Sequence, residues 1–186
     1  MAKPNDLHHL AIATADIKTQ IEFFSDVLGM ELVALYWMHG VDNTFHGFMK
    51  MSDSSSIAFV QHPEIASIQP IKGVSHAGHT TQNVAPGAMQ HLALNVDSYA
   101  DLLAIRDRVR SHGHWVMGPL DHGFCKSIYF FDPNGHRLEM TMRCEAPGEL
   151  DQFKQDAGKM LAQWEERRHK EQWDRQDFAK ARETVA

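Results

Sequence analysis

The sequence is poor in the features that mark several specialised classes of protein. Its 186 residues include two cysteines, Cys125 and Cys144, which are too few for a disulfide framework. No apolar run is long enough to cross a bilayer, and residues 1–7 lack the apolar core of a secretory signal. The formal net charge of -6 offers no basic surface for nucleic acid or anionic lipid. We therefore expect a cytoplasmic protein without nucleic-acid or membrane partners.

Histidine, by contrast, is abundant. The chain has 13 histidines, an excess that suggests metal or proton chemistry. Hydrophobic residues make up 43% and charged residues 23%, a balance that allows a real core to form. The composition thus predicts a globular protein whose chemistry involves some of its imidazoles.

The chain repeats one order of predicted elements. Apolar alternation and helical spacing predict a strand, a helix and three strands in the first half, at residues 7–14, 16–28, 31–36, 45–51 and 56–61. The same order is predicted in the second half, at residues 90–96, 98–112, 115–117, 127–131 and 136–142. Asp132-Pro133-Asn134-Gly135 is a strong turn sequence between the last two strands. The pattern predicts an α+β fold of two βαβββ modules that form a cupped mixed sheet.

The two modules are expected to account for most of one structural domain. We place the first at residues 1–62 and the second at residues 89–146. Residues 63–88, rich in Gly, Pro, Ser, Thr and Gln, are interpreted as a linker or lid. Residues 147–186 are densely charged with interspersed apolar side chains, which predicts a C-terminal helical extension. Such an extension, together with exposed sheet edges, suggests a homodimer.

The first strands of the two modules match in residue type. His9-Leu10-Ala11-Ile12 aligns with the run from His91 to Leu94, so a histidine opens each strand. His8 should point to the other face of the first strand, because side chains alternate along a strand. A shared histidine favours duplication over chance similarity.

The last strands can be aligned as well. The stretch from Met51 to Phe59 matches the stretch from Phe131 to Glu139 without a gap, turn onto turn. This alignment predicts that Phe59 occupies the place of Glu139. Three of the four matched positions then carry metal-ligand types, and the fourth is apolar.

His9, His91 and Glu139 are therefore predicted to hold one divalent metal ion. Two neutral imidazoles and one carboxylate on one face of an ion leave the other positions open, as in non-haem Fe(II) oxygenases. Each histidine alone is more simply explained as an ordinary strand residue, so the prediction depends on the matched pattern. Mn(II) or another divalent metal suits the same ligands, and no organic cofactor is predicted.

The opening of the chain resembles a known superfamily. The runs from His9 to Asp16 (HLAIATAD) and from Phe23 to Met30 (FFSDVLGM) are similar to the first module of vicinal oxygen chelate proteins. These include glyoxalase I, extradiol dioxygenases and bleomycin-resistance proteins. The resemblance covers about residues 7–143 and implies the fold, not one activity.

A narrower motif lies in the second module. His122, Ile128-Tyr129, the turn Asp132–Gly135 and Glu139 together resemble the signature of type I extradiol ring-cleavage dioxygenases. The resemblance implies that Glu139 is an iron ligand, and that His122 and Tyr129 are catalytic groups that contact substrate or oxygen. It implies an Fe(II) enzyme that cleaves a small catechol-like aromatic with O2.

The sequence departs from that family at one place. The family usually has an acid–base histidine where this chain reads Asp53-Ser-Ser-Ser-Ile-Ala58. Three histidines elsewhere are candidates for that role, namely His46, His76 and His79.

Two alternatives remain open. A glyoxalase-like lyase or isomerase would use a further carboxylate from the first module, where Phe59 is expected, with Gln61 or Glu64 nearby. A drug-binding protein without catalysis would use aromatic side chains around a cleft, such as Trp37, Phe45, Phe48 and Trp115. Metal content separates the binder from both enzymes, and oxygen consumption separates the two enzymes.

Overall fold

The first half of the chain forms one four-stranded mixed sheet with a helix against it. The computed structural model describes residues 1–78 and 83–164. The elements are β1 (His9–Ala13), α1 (Ile17–Glu22), β2 (Glu31–Trp37), β3 (Phe45–Lys50) and β4 (Ser56–Gln61). The strand order is β1-β4-β3-β2, with β1 parallel to β4 and the other pairs antiparallel. The Asp16 side chain caps α1 by accepting from the Thr19 amide, and a π-helical turn, Phe23–Val27, follows the helix.

The second half repeats this arrangement. Its elements are β5 (Leu92–Asn95), α2 (Tyr99–Ser111), β6 (Met117–Asp121), β7 (Cys125–Phe131) and β8 (Arg137–Arg143). The strand order is β5-β8-β7-β6, again with one parallel pair, β5 with β8. The predicted fold of two βαβββ modules is therefore confirmed.

One strand begins later than predicted. The sequence favoured a strand at residues 115–117, whereas β6 runs from Met117 to Asp121. Gly118 and Pro119 interrupt the apolar pattern, and the pairing with β7 shifts between Met117 and Leu120. A Cβ on Gly118 would lie 2.7 Å from the Ser127 carbonyl oxygen, so this bulge requires glycine.

The predicted linker and tail are partly described. A short 3-10 helix, Pro63–Ser67, follows the first sheet, and α3 (Glu149–Ala162) begins the C-terminal extension. Residues 165–186, where the rest of the predicted tail falls, lie outside the described residues. Across the described ranges, no helix combines the length and the apolar character needed to span a membrane.

A single hydrophobic core joins the two modules. The Phe24 ring meets Phe59 at 5.0 Å between centroids, and Phe23 meets Phe130 of the second sheet at 6.4 Å. Arg108 Nε donates to the Val27 carbonyl oxygen at 2.6 Å, so α2 is also tied to the end of the π-helical turn. Each sheet therefore has one face against the helices and one face turned away from the core.

The pairing registers correct the alignment of the two modules. Glu139 pairs with Ala93 on β5, and the corresponding pair in the first module is Ala11 with Ala58. Ala58, not Phe59, is thus the equivalent of Glu139, and the predicted equivalence was wrong by one residue. Met51 N donates to the Ser55 carbonyl oxygen as Asp132 N donates to the His136 carbonyl oxygen, so the two turns correspond one residue away from the sequence alignment. Phe59 itself lies in the core.

Candidate metal centre

Glu139 is placed by the alternation of β8. Its neighbours Leu138 and Met140 are core residues, so the Glu139 side chain faces the opposite side of the sheet. On that face Glu139 lies directly across from Tyr129 of β7. The glutamate is only 7% exposed, and a carboxylate in such a place needs hydrogen-bond donors.

The two predicted catalytic residues supply one side of that hydrogen bonding. Tyr129 Oη donates to Glu139 Oε1 at 3.1 Å, and His122 Nε2 lies 3.0 Å from Tyr129 Oη. Burial and the Glu139 carboxylate raise the pKa of Tyr129 to about 12, so its hydroxyl keeps its proton. Because that proton goes to Glu139, Tyr129 Oη accepts from His122 Nε2–H. His122, Tyr129 and Glu139 thus form one directed series.

The other carboxylate oxygen is bound by His91. His91 stands immediately before β5, and its Nε2 lies 3.0 Å from Glu139 Oε2. Arg137 Nη2 lies 2.7 Å from His91 Nδ1. A guanidinium only donates, so His91 Nδ1 accepts and its Nε2 proton is directed at Glu139. Both oxygens of Glu139 therefore receive a proton donor.

The spacing of His91 and Glu139 fits a shared metal ion. Two donors at right angles, each about 2.1 Å from one ion, lie about 3 Å apart. The 3.0 Å between His91 Nε2 and Glu139 Oε2 is an ordinary hydrogen-bond length that also matches that spacing; an ion bound there would displace the Nε2 proton, and the neutral ring would then carry its proton on Nδ1. Nitrogen and carboxylate donors of this kind suit Fe(II), Mn(II) and Zn(II) alike. His91 and Glu139 are thus close enough to share an ion, and their ligand role stays a prediction.

His9, the third predicted ligand, lies in the first sheet. It is exposed at the start of β1, and its ring contacts His8, His46 and Phe48. Within residues 1–78 and 83–164, no three His, Cys, Asp or Glu side chains form a group that could hold a metal. One chain therefore does not bring His9 to the other two residues, and its ligand role stays a prediction.

The histidines considered for acid–base chemistry lie away from the Glu139 series. His46 is buried on β3, and burial, followed by the nearby His9, lowers its pKa. His76 is buried against the β7–β8 turn and bonds to Ser75 Oγ at 2.9 Å. His79 falls outside the described residues. His122 and His91, by contrast, are hydrogen-bonded to Tyr129 and Glu139 respectively.

Sequence reasoning missed Arg137. It is 4% exposed and holds His91 through the 2.7 Å bond. The available signal was its position two residues before Glu139, since alternation puts both side chains on one face of a strand. From the sequence, an arginine at the start of a strand is more simply explained as a solvent-exposed residue at the strand end.

The fold and these contacts define the class of protein. A pair of βαβββ modules carries imidazole, carboxylate and phenol groups on the sheet face opposite the core. The family model described as "Glyoxalase/Bleomycin resistance protein/Dioxygenase superfamily" matches residues 6–140. The chain belongs to that superfamily.

Individual relatives are distant. A protein named "Probable lactoylglutathione lyase" from Synechocystis sp. is 25% identical over 139 residues, which cover 72% of this chain and 92% of that protein. A glyoxylase/bleomycin resistance protein/dioxygenase domain from Frankia sp. EAN1pec has a TM-score of 0.60 at 15% identity, covering 76% of this chain and all (100%) of that one. The trypanothione-dependent glyoxalase I of Leishmania major has a TM-score of 0.55 at 16% identity, covering 86% and 98%. The two structures support the fold alone.

Proposed function

We propose that this protein is a divalent-metal-dependent enzyme acting on a substrate with two adjacent oxygen atoms. The observation that carries the proposal is the series from His122 through Tyr129 to Glu139 and on to His91. Four of the five residues predicted from the sequence are hydrogen-bonded in one row. Superfamily membership supports a metalloenzyme, because the superfamily includes metalloenzymes such as glyoxalase I.

The finer assignment is an Fe(II)-dependent extradiol-type dioxygenase acting on a catechol-like aromatic. A metal held by His91, Glu139 and His9 would act as a Lewis acid that favours loss of the protons of the diol. Glu139 would be held in position by Tyr129, whose hydroxyl stays protonated. To contact a substrate oxygen, Tyr129 would turn its single hydroxyl proton away from Glu139, while His122 Nε2–H would continue to donate to Tyr129 Oη and hold the phenol in place.

The strand pairing of the first module supports a metal site with three protein ligands over one with four. The place equivalent to Glu139 is held by Ala58, which offers no donor atom. Gln61, one of the nearby alternatives, accepts from the Ile17 amide at 2.7 Å and so caps the start of α1. Glu64, the other alternative, is mostly exposed on the 3-10 helix. The proposed set would then be two histidines and one carboxylate, the type that non-haem Fe(II) oxygenases use.

A second candidate is a glyoxalase-like lyase or isomerase. It is favoured by the relative named as a probable lactoylglutathione lyase, which this chain matches over 92% of that protein. Ala58 weighs against it, because the sequence resemblance implies a further carboxylate from the first module for that chemistry. A non-catalytic binder would leave the row of donors on Glu139 without a use.

We further propose that two copies of the chain complete the ligand set, with His9 of one copy beside His91 and Glu139 of another. His9 is exposed and separate from the other two ligands within one chain. The edge strand β2 exposes large apolar side chains, including Val33 at 49%, Leu35 at 48% and Trp37 at 62%. An exposed apolar edge of this kind is a favourable surface for self-association.

Oxygen uptake distinguishes the proposed dioxygenase from the lyase or isomerase. Anaerobically purified, Fe(II)-loaded protein would be tested with catechol, 4-methylcatechol and 3,4-dihydroxybenzoate, with metal content measured on the same sample. Uptake with a coloured ring-opened product is expected. Conversion of the methylglyoxal–glutathione hemithioacetal without oxygen uptake would replace the dioxygenase with the lyase. Absence of bound metal after loading would refute both.

Mixing two variant subunits tests whether the metal site is shared between the chains of a dimer. His9→Ala and Glu139→Gln homodimers should each bind little metal. In a symmetric dimer with shared sites, randomly mixed subunits regain about a quarter of the wild-type metal, because half the dimers are mixed and each has one intact site. No regained metal, with mixed dimers verified by mass, would place the whole site within one chain.

A further inference from the structure

Arg137 is a buried cation with an unusual lack of partners. Its side chain is 4% exposed, and its one hydrogen bond within the described residues goes to the neutral acceptor His91 Nδ1. Arg137 Nε and Nη1 are buried without a partner in the described part of the chain. Three N–H donors on a guanidinium therefore remain unused on the same sheet face as Glu139.

A buried guanidinium is stable only when an anion or several acceptors compensate it. Glu139 does not do this directly, since its two oxygens are occupied by Tyr129 and His91. In the described part of the chain, the other groups near Arg137 include an aromatic ring and imidazoles. The centroid of the Tyr129 ring lies 6.0 Å from the guanidinium, and the Arg137 charge lowers the pKa of His136 after the larger effects of burial and His76.

A second cation lies above the same end of the sheet. Arg137 pairs across the β7–β8 hairpin with Phe131, and Lys72 Nζ lies 6.0 Å from the Phe131 ring centroid. Lys72 belongs to the turn 71–76, which is held by local bonds such as Gly73 N to the His76 carbonyl oxygen at 2.9 Å. The turn therefore places a second cation beside the end of the hairpin that carries Arg137.

Metal loading would increase the demand for an anion. A neutral His91 that binds an ion through Nε2 carries its proton on Nδ1 and no longer accepts from Arg137. The Arg137 guanidinium would then lose its hydrogen bond to His91, in a site that would also hold a divalent cation. Both effects favour an oxyanion at this place.

We propose that Arg137 binds the carboxylate of an aromatic acid substrate, so that the ring lies beside Glu139 with its two adjacent oxygens toward the metal. This inference rests on the proposed function for the identity of the ring, but the anion site itself does not require it. Arginine suits the role because its donors match the planar geometry of a carboxylate.

The test uses metal-free protein and two ligands of one shape, benzoate and benzamide, titrated by calorimetry. Wild-type protein should bind benzoate about tenfold more tightly than benzamide, because only benzoate forms charge-assisted bonds. Arg137→Met should remove that preference and leave benzamide binding unchanged. The matched control is Arg143→Met, on the same strand but exposed and paired with Glu145, which should keep the preference.

Equal binding of benzoate and benzamide by wild-type protein would overturn the anion site, whatever the oxygen-uptake result. Inorganic phosphate binding more tightly than benzoate would overturn the assignment to an aromatic carboxylate. Should Arg137→Met fail to fold, the Arg137 Nε–H resonance of wild-type protein decides, since it should shift during benzoate titration and an unchanged resonance refutes the contact. Failure of metal binding or oxygen uptake, with these results intact, would remove only the proposed enzyme.

Discussion

Asp132 offers a test of how the β7–β8 turn is stabilised. It is 5% exposed, its Oδ1 accepts from the His136 amide at 2.7 Å, and its Oδ2 lies 3.4 Å from Gln20 Nε2. Burial raises the pKa of Asp132 from 3.8 to about 6, although these hydrogen bonds act in the opposite direction. The ionised carboxylate is thus poorly compensated at neutral pH.

The perturbation is Asp132→Asn. A carboxyl whose folded pKa is raised contributes stability that is present below its unfolded pKa and is lost as pH rises through the folded value. For Asp132 that window runs from 3.8 to about 6. A difference of about two pKa units corresponds to roughly 3 kcal/mol of unfolding free energy.

The amide should therefore make the protein more stable at pH 8, by up to roughly 3 kcal/mol. At pH 4 the gain should nearly vanish. The side-chain amide introduced by this substitution keeps an oxygen that can accept from the His136 amide. Its nitrogen gives Gln20 Oε1, buried without a partner in the described structure, a donor once the glutamine amide turns over.

Urea unfolding of both proteins between pH 4 and pH 8 measures this difference. His136 has a lowered pKa and opposes the trend, since its contribution is lost as pH falls, but it is present in both proteins and cancels. Asp53→Asn, at an exposed carboxylate whose pKa is lowered by Lys50, is the control and should not stabilise. An Asp132→Asn protein that is less stable at pH 8, or equally shifted at every pH, would refute the reasoning.

Three further substitutions distinguish residues of the proposed metal site from a residue of the hydrophobic core. Glu139→Gln should lower metal affinity by about tenfold or more in equilibrium dialysis, with cooperative unfolding retained. Tyr129→Phe should keep the metal but slow oxygen uptake by about a hundredfold, because it removes a donor beside the reacting oxygens. Phe59→Ala should cost about 3–5 kcal/mol in urea unfolding without changing metal stoichiometry, since Phe59 packs on Phe24 in the core.

Controls for these variants use exposed residues of the same type. Glu64→Gln, Tyr99→Phe and Phe153→Ala should each change the corresponding quantity little. Metal lost from Phe59→Ala without loss of stability would contradict the corrected register. An unaltered rate for Tyr129→Phe with the true substrate would exclude it from the mechanism.

The fold could be predicted because the sequence repeats strong local signals. Period-2 alternation, the Asp132–Gly135 turn and the helix caps each specify their own element; Asp16 caps α1, and the Ser98 side chain caps α2 by accepting from the Asp101 amide. The alignment of the last strands, β4 and β8, was less secure, because the sequence does not show which residues of the two turns correspond. Only the pairing of β1 with β4 and of β5 with β8 shows that Ala58, and not Phe59, is the equivalent of Glu139.

Part of the site could also be predicted. His122, Tyr129 and Glu139 lie on one hairpin or just before it, so their spacing in sequence fixes their proximity. The position of His9 could not be predicted in this way, because its distance from Glu139 depends on how the two sheets, or two chains, are packed against each other. Arg137 was missed because residue type alone does not reveal that a strand-end arginine is buried without an anion.

The parallel pairs β1–β4 and β5–β8 also bear on how the chain reaches its structure. His9 pairs with Ser56, and Leu92 pairs with Leu138, so each pair closes a loop of nearly the same length within its own half. Since the entropy of loop closure depends only weakly on length, the two halves meet similar barriers. Neither half can bury Phe24, Phe59 and Phe130 together until both closures are made, which should couple two separate sheets into one cooperative folding transition.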